Sequence, residues 1–182
     1  MTLLLCFVAL FSFPACIENS SDSSAQKKEA PQRSLHEAAY MGDVALIQAH
    51  IAAGSDLNQK DDFGSTPLIV ATTFGKTEVA RQLIKAGADL NATGADGGTA
   101  LHGAAFYCRT EIVQALLRNG ADPHVRNLFG STALESVAAP FGEVKMVYDQ
   151  ISKDLGPLGF KLDYDYLQAT RPKVAKAIEQ AL

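Results

Sequence analysis

The sequence predicts an all-α solenoid of about four to five stacked helix-turn-helix units joined by β-hairpin-like fingers, and three observations carry that prediction. Thr66, Thr99 and Thr132 stand 33 residues apart, in Gly64-Ser65-Thr66-Pro67-Leu68, Gly97-Gly98-Thr99-Ala100-Leu101 and Gly130-Ser131-Thr132-Ala133-Leu134. Gly54, Gly87 and Gly120 keep the same interval, opening Gly54-Ser55-Asp56, Gly87-Ala88-Asp89 and Gly120-Ala121-Asp122. Between each Thr and the next such Gly lie two short segments with helical apolar spacing. A repeat in this size range signals supersecondary units that bury their apolar faces only by stacking on one another.

The first stretch of chain stands apart from the repeats. Residues 3–13 form an apolar run, too short for a resident membrane helix but fitting a signal-peptide core. The run ends at Phe13-Pro14-Ala15-Cys16, which resembles a bacterial lipoprotein cleavage site, although Phe13 replaces the usual Leu and no Lys or Arg precedes the run. That resemblance implies a signal peptide over 1–16 and lipidation at Cys16. Residues 17–31 are polar, with Ser20-Ser21-Asp22-Ser23-Ser24 and Lys27-Lys28-Glu29, a composition that cannot bury enough apolar area to order itself and reads as a flexible tether. Together they place the protein in the bacterial envelope, lipid-anchored or periplasmic, with export without a lipid and a cytoplasmic location as the other two readings.

The repeat region covers 32–182. The first unit, 32–60, starts at Ser34-Leu35-His36-Glu37-Ala38-Ala39 and lacks the Gly-x-Thr-Pro opening, as a terminal capping repeat does. The second and third cover 61–93 and 94–126. Thr66 sits where its hydroxyl caps a helix, with Pro67 at the first helical position, where a missing N–H costs nothing. Second helices carry the core at Val79, Leu83 and Ile84 and at Ile112, Val113, Leu116 and Leu117. The fourth unit, 127–156, has Phe141-Gly142 where the others have one residue; a one-residue insertion aligns Met146-Val147 with Ile112-Val113 and Ile151 with Leu117. Gly156-Pro157-Leu158-Gly159 marks a loop. Residues 157–182 read as a degenerate fifth unit closing the stack, with Arg171-Pro172 at its interhelix turn.

These residues resemble the ankyrin repeat, with its Gly-x-Thr-Pro-Leu-His-x-Ala-Ala opening and Val-x-x-Leu-Leu-x-x-Gly-Ala-Asp-x-Asn close, over about 32–152 and more loosely beyond. The resemblance implies a protein-binding module, not an enzyme, whose hairpin tips and exposed first-helix residues line a concave face. Carried over by register, the partner-binding positions are Tyr40 and Met41, Phe74, Phe106 and Tyr107 on first helices, and Phe63, Asp96, Leu128 and Phe129 at the tips. Phe74, Phe106 and Tyr107 are expected to form one exposed, contiguous patch, since exposed aromatics anchor interfaces. The resemblance extends to envelope proteins that support oxidative-stress enzymes; an immunity-type inhibitor of a toxin is a further reading, and a hydrolase the remotest.

Other chemistry finds little support. His36 and His102 take the His of the family motif, whose ring bonds nearby turn backbone, and neither His50 nor His124 has a second ligand at metal-binding spacing. No Ser, His and acid fall into a triad pattern, and no Gly-rich phosphate loop follows a strand, so no catalytic, cofactor or metal residue is assigned. Of the cysteines at 6, 16 and 108, only Cys108 lies in the repeat region, at the turn where Gly42 and Gly75 stand, and partial exposure is expected for it. The net charge of −4 and the dispersed Lys and Arg give no basic stripe for nucleic acid. The expected partner is another protein, the membrane is met only through an N-terminal lipid, and the chain is expected to be a monomer.

Overall fold

The computed structural model describes residues 30–182, so the expected signal peptide, Cys16 and nearly all of the expected tether lie outside the described residues. Nine α-helices are described: α1 (Leu35–Met41), α2 (Val44–Ala53), α3 (Pro67–Thr73), α4 (Thr77–Lys85), α5 (Ala100–Phe106), α6 (Thr110–Arg118), α7 (Ala133–Ala138), α8 (Phe141–Leu155) and α9 (Tyr164–Glu179). Helices α1, α3, α5 and α7 pack in series as an inner layer, and α2, α4, α6 and α9 form the outer layer. Among the described residues the fingers hold one isolated antiparallel bridge, Thr93 to Thr99, and are otherwise turns.

Each inner helix starts where the sequence places a hydroxyl. Ser34 accepts from the Glu37 N–H at 3.0 Å and Thr66 from Ile69 at 3.3 Å. Thr132 and Glu135 bond reciprocally, Glu135 N–H to the Thr132 hydroxyl at 3.2 Å and Thr132 N–H to the Glu135 carboxylate at 2.9 Å. Units are joined by two polar rungs that repeat with the period. His36 Nε2 meets the Ser65 carbonyl at 2.9 Å and His102 Nε2 the Ser131 carbonyl at 3.1 Å, as the motif histidines are expected to do. Asn58 and Asn91 accept from the Asp89 and Asp122 N–H groups, each at 2.8 Å.

The core runs the length of the stack between the two layers. Ala38, Ala39, Ala71, Ala104 and Ala105 are fully buried on the inner helices, and their small size lets neighbouring helices approach closely. Ile47, Val79, Leu83, Ile112, Val113 and Leu116 fill the space from the outer side.

At the C-terminal end the structure corrects the sequence reading. The outer slot of the fourth unit is filled not by α8 but by α9, which packs on α7 and α6. Helix α9 buries Leu167, Val174 and Ile178, whereas Met146 and Val147, aligned above with the core pair Ile112-Val113, are 80% and 48% exposed. Pro172 marks no interhelix turn: it lies inside the continuous α9. Residues 157–182 are therefore no fifth unit. The chain leaves α7, makes an excursion over 139–163, and returns to complete the fourth unit.

Candidate functional site

The excursion crosses the carboxyl ends of the inner helices and holds there by aromatic and polar contacts. Tyr148 of α8 is fully buried, stacked on Phe106 at 4.4 Å between ring centroids, and its hydroxyl donates to the Phe106 carbonyl at 2.6 Å. Phe141 also stacks on Tyr148, at 5.8 Å between centroids. Beyond α8, a short 3-10 turn, Gly156–Leu158, leads into a strap over residues 159–163. Phe160 on the strap meets Phe74 at 5.8 Å and Tyr107 at 5.3 Å, both edge to face. Tyr40, edge-on to Phe74 at 4.7 Å, donates its hydroxyl to the Leu158 carbonyl at 2.7 Å.

A buried arginine locks the excursion to the fourth unit. Arg171 on α9 is 3% exposed and has no carboxylate partner among the described residues; Nη1 donates to the Tyr148 hydroxyl at 2.7 Å, and Nη2 to the carbonyls of Ser136 at 3.1 Å and Ala139 at 2.7 Å. Those carbonyls belong to the last turn of α7, where a helix leaves acceptors without intrahelical donors and where a cation is favoured. Burial pushes the Tyr148 hydroxyl up to about 12.

This arrangement alters the face on which the partner-binding residues were placed. Phe74, Phe106 and Tyr107 do come together, as a row completed by Phe160, but they are half-buried under the excursion rather than exposed. The expected open patch is corrected to an internal aromatic seam, because the chain supplies its own rings to cover it. Tyr40 joins that seam, while Met41 remains 51% exposed. At the tips the expectation of exposure holds: Phe63, Leu128 and Phe129 are 81%, 78% and 80% exposed, and Asp96 is exposed beside them. The tips are held by their own turns, with Asp61 accepting from Phe63 and Ser65 N–H and Asn127 from Phe129 and Ser131 N–H. Leu128 N–H donates to the Asp96 carbonyl at 2.9 Å, so the last two tips are fastened together.

Between the tips and α8 lies a groove of about 440 Å³. Its floor comes from the inner helices α3, α5 and α7, with Thr73, Gly103, Phe106 and Ser136. Val144, Val147 and Ile151 of α8 form one wall; Asp96, Asn127 and Phe129 of the fingers form the other. His102, Tyr107 and Glu135 also line it. The α8 wall escaped the sequence reading, since those three residues at helical spacing look like the inward stripe of an outer helix. The one signal against it is Pro140, which stands at the register of Met41, Phe74 and Tyr107, just before the two-residue Phe141-Gly142 that replaces Gly42, Gly75 and Cys108.

Cys108 is a second correction. It is 1% exposed, not partly exposed, and is the sole non-glycine of positive φ (54°) among the described residues. Helix α9 covers it, with Tyr166 donating to the Cys108 carbonyl at 3.2 Å. Burial pushes its thiol up to about 11, only partly opposed by the Arg171 and Arg109 charges. Such a thiol is not a nucleophile at neutral pH. Among the described residues no group of His, Cys, Asp or Glu is placed to hold a metal ion, and no helix is long and apolar enough to cross a membrane.

Comparison with known families agrees with this architecture. A family model for ankyrin repeats, in three copies, matches residues 35–127, about half of the chain. No curated protein matches it. The chain belongs to the ankyrin-repeat family, and its repeats make it a protein–protein interaction module.

Proposed function

We propose that this ankyrin-repeat protein binds an extended, largely apolar segment of a partner protein in the groove between its fingers and α8, from a position in the bacterial envelope. The groove itself carries the reading. It is open, apolar on the α8 side, and lined from the fingers by Phe129, with Leu128 and Phe63 outside its lining on the finger tips, all three about four-fifths exposed. Large exposed apolar side chains bury area on binding at small entropic cost and act as anchors. Phe129, Leu128 and Phe63 are the anchors at the tips, Phe106 and Tyr107 contribute the ring edges on the floor, and Asp96 favours a cationic or amide group at that end.

The envelope location rests on residues 3–13, Ala15-Cys16 and the Ser-rich tether, which would hold the repeats near a membrane through a lipid on Cys16. Metabolic labelling with a fatty-acid probe tests it: the wild type takes label and Cys16→Ser does not, and equal labelling of the two removes the anchor.

Selection of binders from a displayed peptide library tests the groove. Phe129→Asp on the finger wall and Val147→Asp on the α8 wall should each weaken the selected peptides about thirtyfold or more, the loss expected when a central anchor goes. Neither change should move the melting temperature, and Lys85→Ala on the outer layer should alter nothing. Binding indifferent to both wall substitutions places the interface elsewhere.

A further inference from the structure

A second recess, about 460 Å³, lies where the strap meets the interhelix turns of the first units, and it has a different chemistry. Lys76, Arg109 and Lys161 line it together with Tyr40, Phe74 and Phe160, and among the described residues no carboxylate does. The acids nearest in sequence are engaged elsewhere: Asp43 caps α2 through the Leu46 N–H and Asp163 caps α9 through the Tyr166 N–H, each at 3.0 Å, while Glu78 accepts from Gln82 at 2.9 Å and Glu111 pairs with Arg81 at 2.8 Å. Among the described residues the ion pairs use Arg33, Arg81, Arg126 and Lys145, and none uses a cation of this recess.

Two of the cations, Arg109 and Lys76, are held in place, while Lys161 is exposed at the rim. The Arg109 guanidinium lies over Gly75, where a Cβ would stand 2.9 Å from its central carbon, and Nη2 donates to the Thr73 carbonyl at 3.3 Å. Its Nε is buried with no acceptor among the described residues. The Lys76 stem lies over Gly42 in the same manner, 3.1 Å from where a Cβ would be. Both glycines have positive φ, so the turn conformation and the bed for the side chain come from the same residue. Lys76 and Arg109 also stand directly before the nine-residue helices α4 and α6, neither of which has a side-chain cap, and the amino ends of those helices add to the positive potential. Like charges gathered around a partly desolvated recess repel unless an anion joins them, and a buried guanidinium N–H without an acceptor is unfavourable by itself.

We propose that this recess binds a small organic phosphate, its phosphoryl oxygens held by Lys76, Arg109 and Lys161 and its planar or apolar body resting on Tyr40, Phe74 and Phe160. Three cations match a dianion better than a single carboxylate, and the planar fork of Arg109 suits phosphoryl oxygens. The recess is larger than an inorganic ion needs, and its remaining wall sets the three rings beside Met41, Leu158 and Gly159. The inference does not depend on the peptide groove, with which the recess shares no lining residue.

Calorimetric titration of the full chain with phenyl phosphate at low salt tests it. Saturable binding is expected, several-fold tighter than that of inorganic phosphate, with none for phenol. Lys161→Gln, an exposed residue whose loss cannot unfold the stack, and Arg109→Gln should each weaken phenyl phosphate about tenfold, while Lys85→Gln leaves it unchanged. Flotation with phosphatidylcholine vesicles containing phosphatidic acid separates two sources of the same group. Co-flotation abolished by Lys161→Gln puts the phosphate on a lipid headgroup, and phenyl phosphate binding without co-flotation puts it on a soluble ligand; either outcome supports the site. No saturable binding of phenyl phosphate, or binding indifferent to Lys161→Gln, overturns it, and equal affinity for inorganic phosphate removes the aromatic half of the inference.

Discussion

In the first three units the outer helix follows the inner one after a turn of two or three residues, Gly42-Asp43, Phe74-Gly75-Lys76 or Tyr107-Cys108-Arg109; in the fourth, residues 139–163 intervene before α9 arrives. Both arrangements fill the same slot. The stack therefore requires an apolar helix against the preceding pair, and it does not require that helix to be the next in the chain. Helix α9 wins the slot over α8 because it buries Leu167, Val174 and Ile178 and brings Arg171 to the open carbonyls of α7. Helix α8, displaced from the outer slot, keeps Tyr148 buried on Phe106 and turns Val144, Val147 and Ile151 to the groove.

The sharpest way to break this comparison is to remove α9. Ending the chain at residue 163 strips three large aliphatic side chains from the core, at ~1.5–3 kcal/mol each, which approaches the whole stability of a typical domain. Circular dichroism should show no cooperative melt near that of the full chain, and size exclusion should show aggregation. A truncated chain that melts normally would put α9 outside the stack. Arg171→Met comes next, leaving the Ser136 and Ala139 carbonyls and the Tyr148 hydroxyl without their donor. A loss of about 3 kcal/mol is expected in urea unfolding, because the acceptors stay buried.

Alkaline pH sharpens the contrast at one position, since the turns of the first two units carry glycine where the third carries Cys108. The folded thiol is raised from 9.0 to about 11, so the folded state keeps its proton after the unfolded state has lost it. That stabilisation is complete below about pH 9 and disappears as pH rises through 11, so the urea midpoint should fall across that window and fall less in Cys108→Ala. Tyr148→Phe removes the hydroxyl that bridges Arg171 and Phe106, for about 1–2 kcal/mol. Hydrogen exchange should quicken in 139–163 and stay unchanged in α2 and α4. Thr66→Ala, in the regular part, should cost only the cap, about 1 kcal/mol. The smallest effect is Phe63→Ala, within about 0.5 kcal/mol in thermal melts, since an exposed tip touches little of the stack.

The regular units were legible because each local signal has a local cause. Thr66 caps, Pro67 opens a helix, and the motif histidines reach a carbonyl one unit away at a fixed interval. The finger tips were legible for the same reason, as Asp61 and Asn127 set their turns from within. The exposure of Phe74, Phe106 and Tyr107 was not, because their cover arrives from Tyr148 and Phe160, far along the chain and without a periodic signature. Apolar spacing likewise could not rank α8 against α9. Val144, Val147 and Ile151 make as good a stripe as Val174 and Ile178 until Arg171 is seen to need α7.

A stack whose units touch only their neighbours unzips from its ends, one unit at a time. The bond from Tyr40 to Leu158 joins residues 118 positions apart, and Phe160 rests on the second and third units together. The 3-10 turn and the strap together therefore tie the first three units to the last and raise the contact order of a fold otherwise built from local pairings. Fraying of α1 must release Leu158, and with it the support of α8. Unfolding becomes more nearly all-or-none, and any load that loosens the first unit reaches the groove before the middle of the stack has yielded.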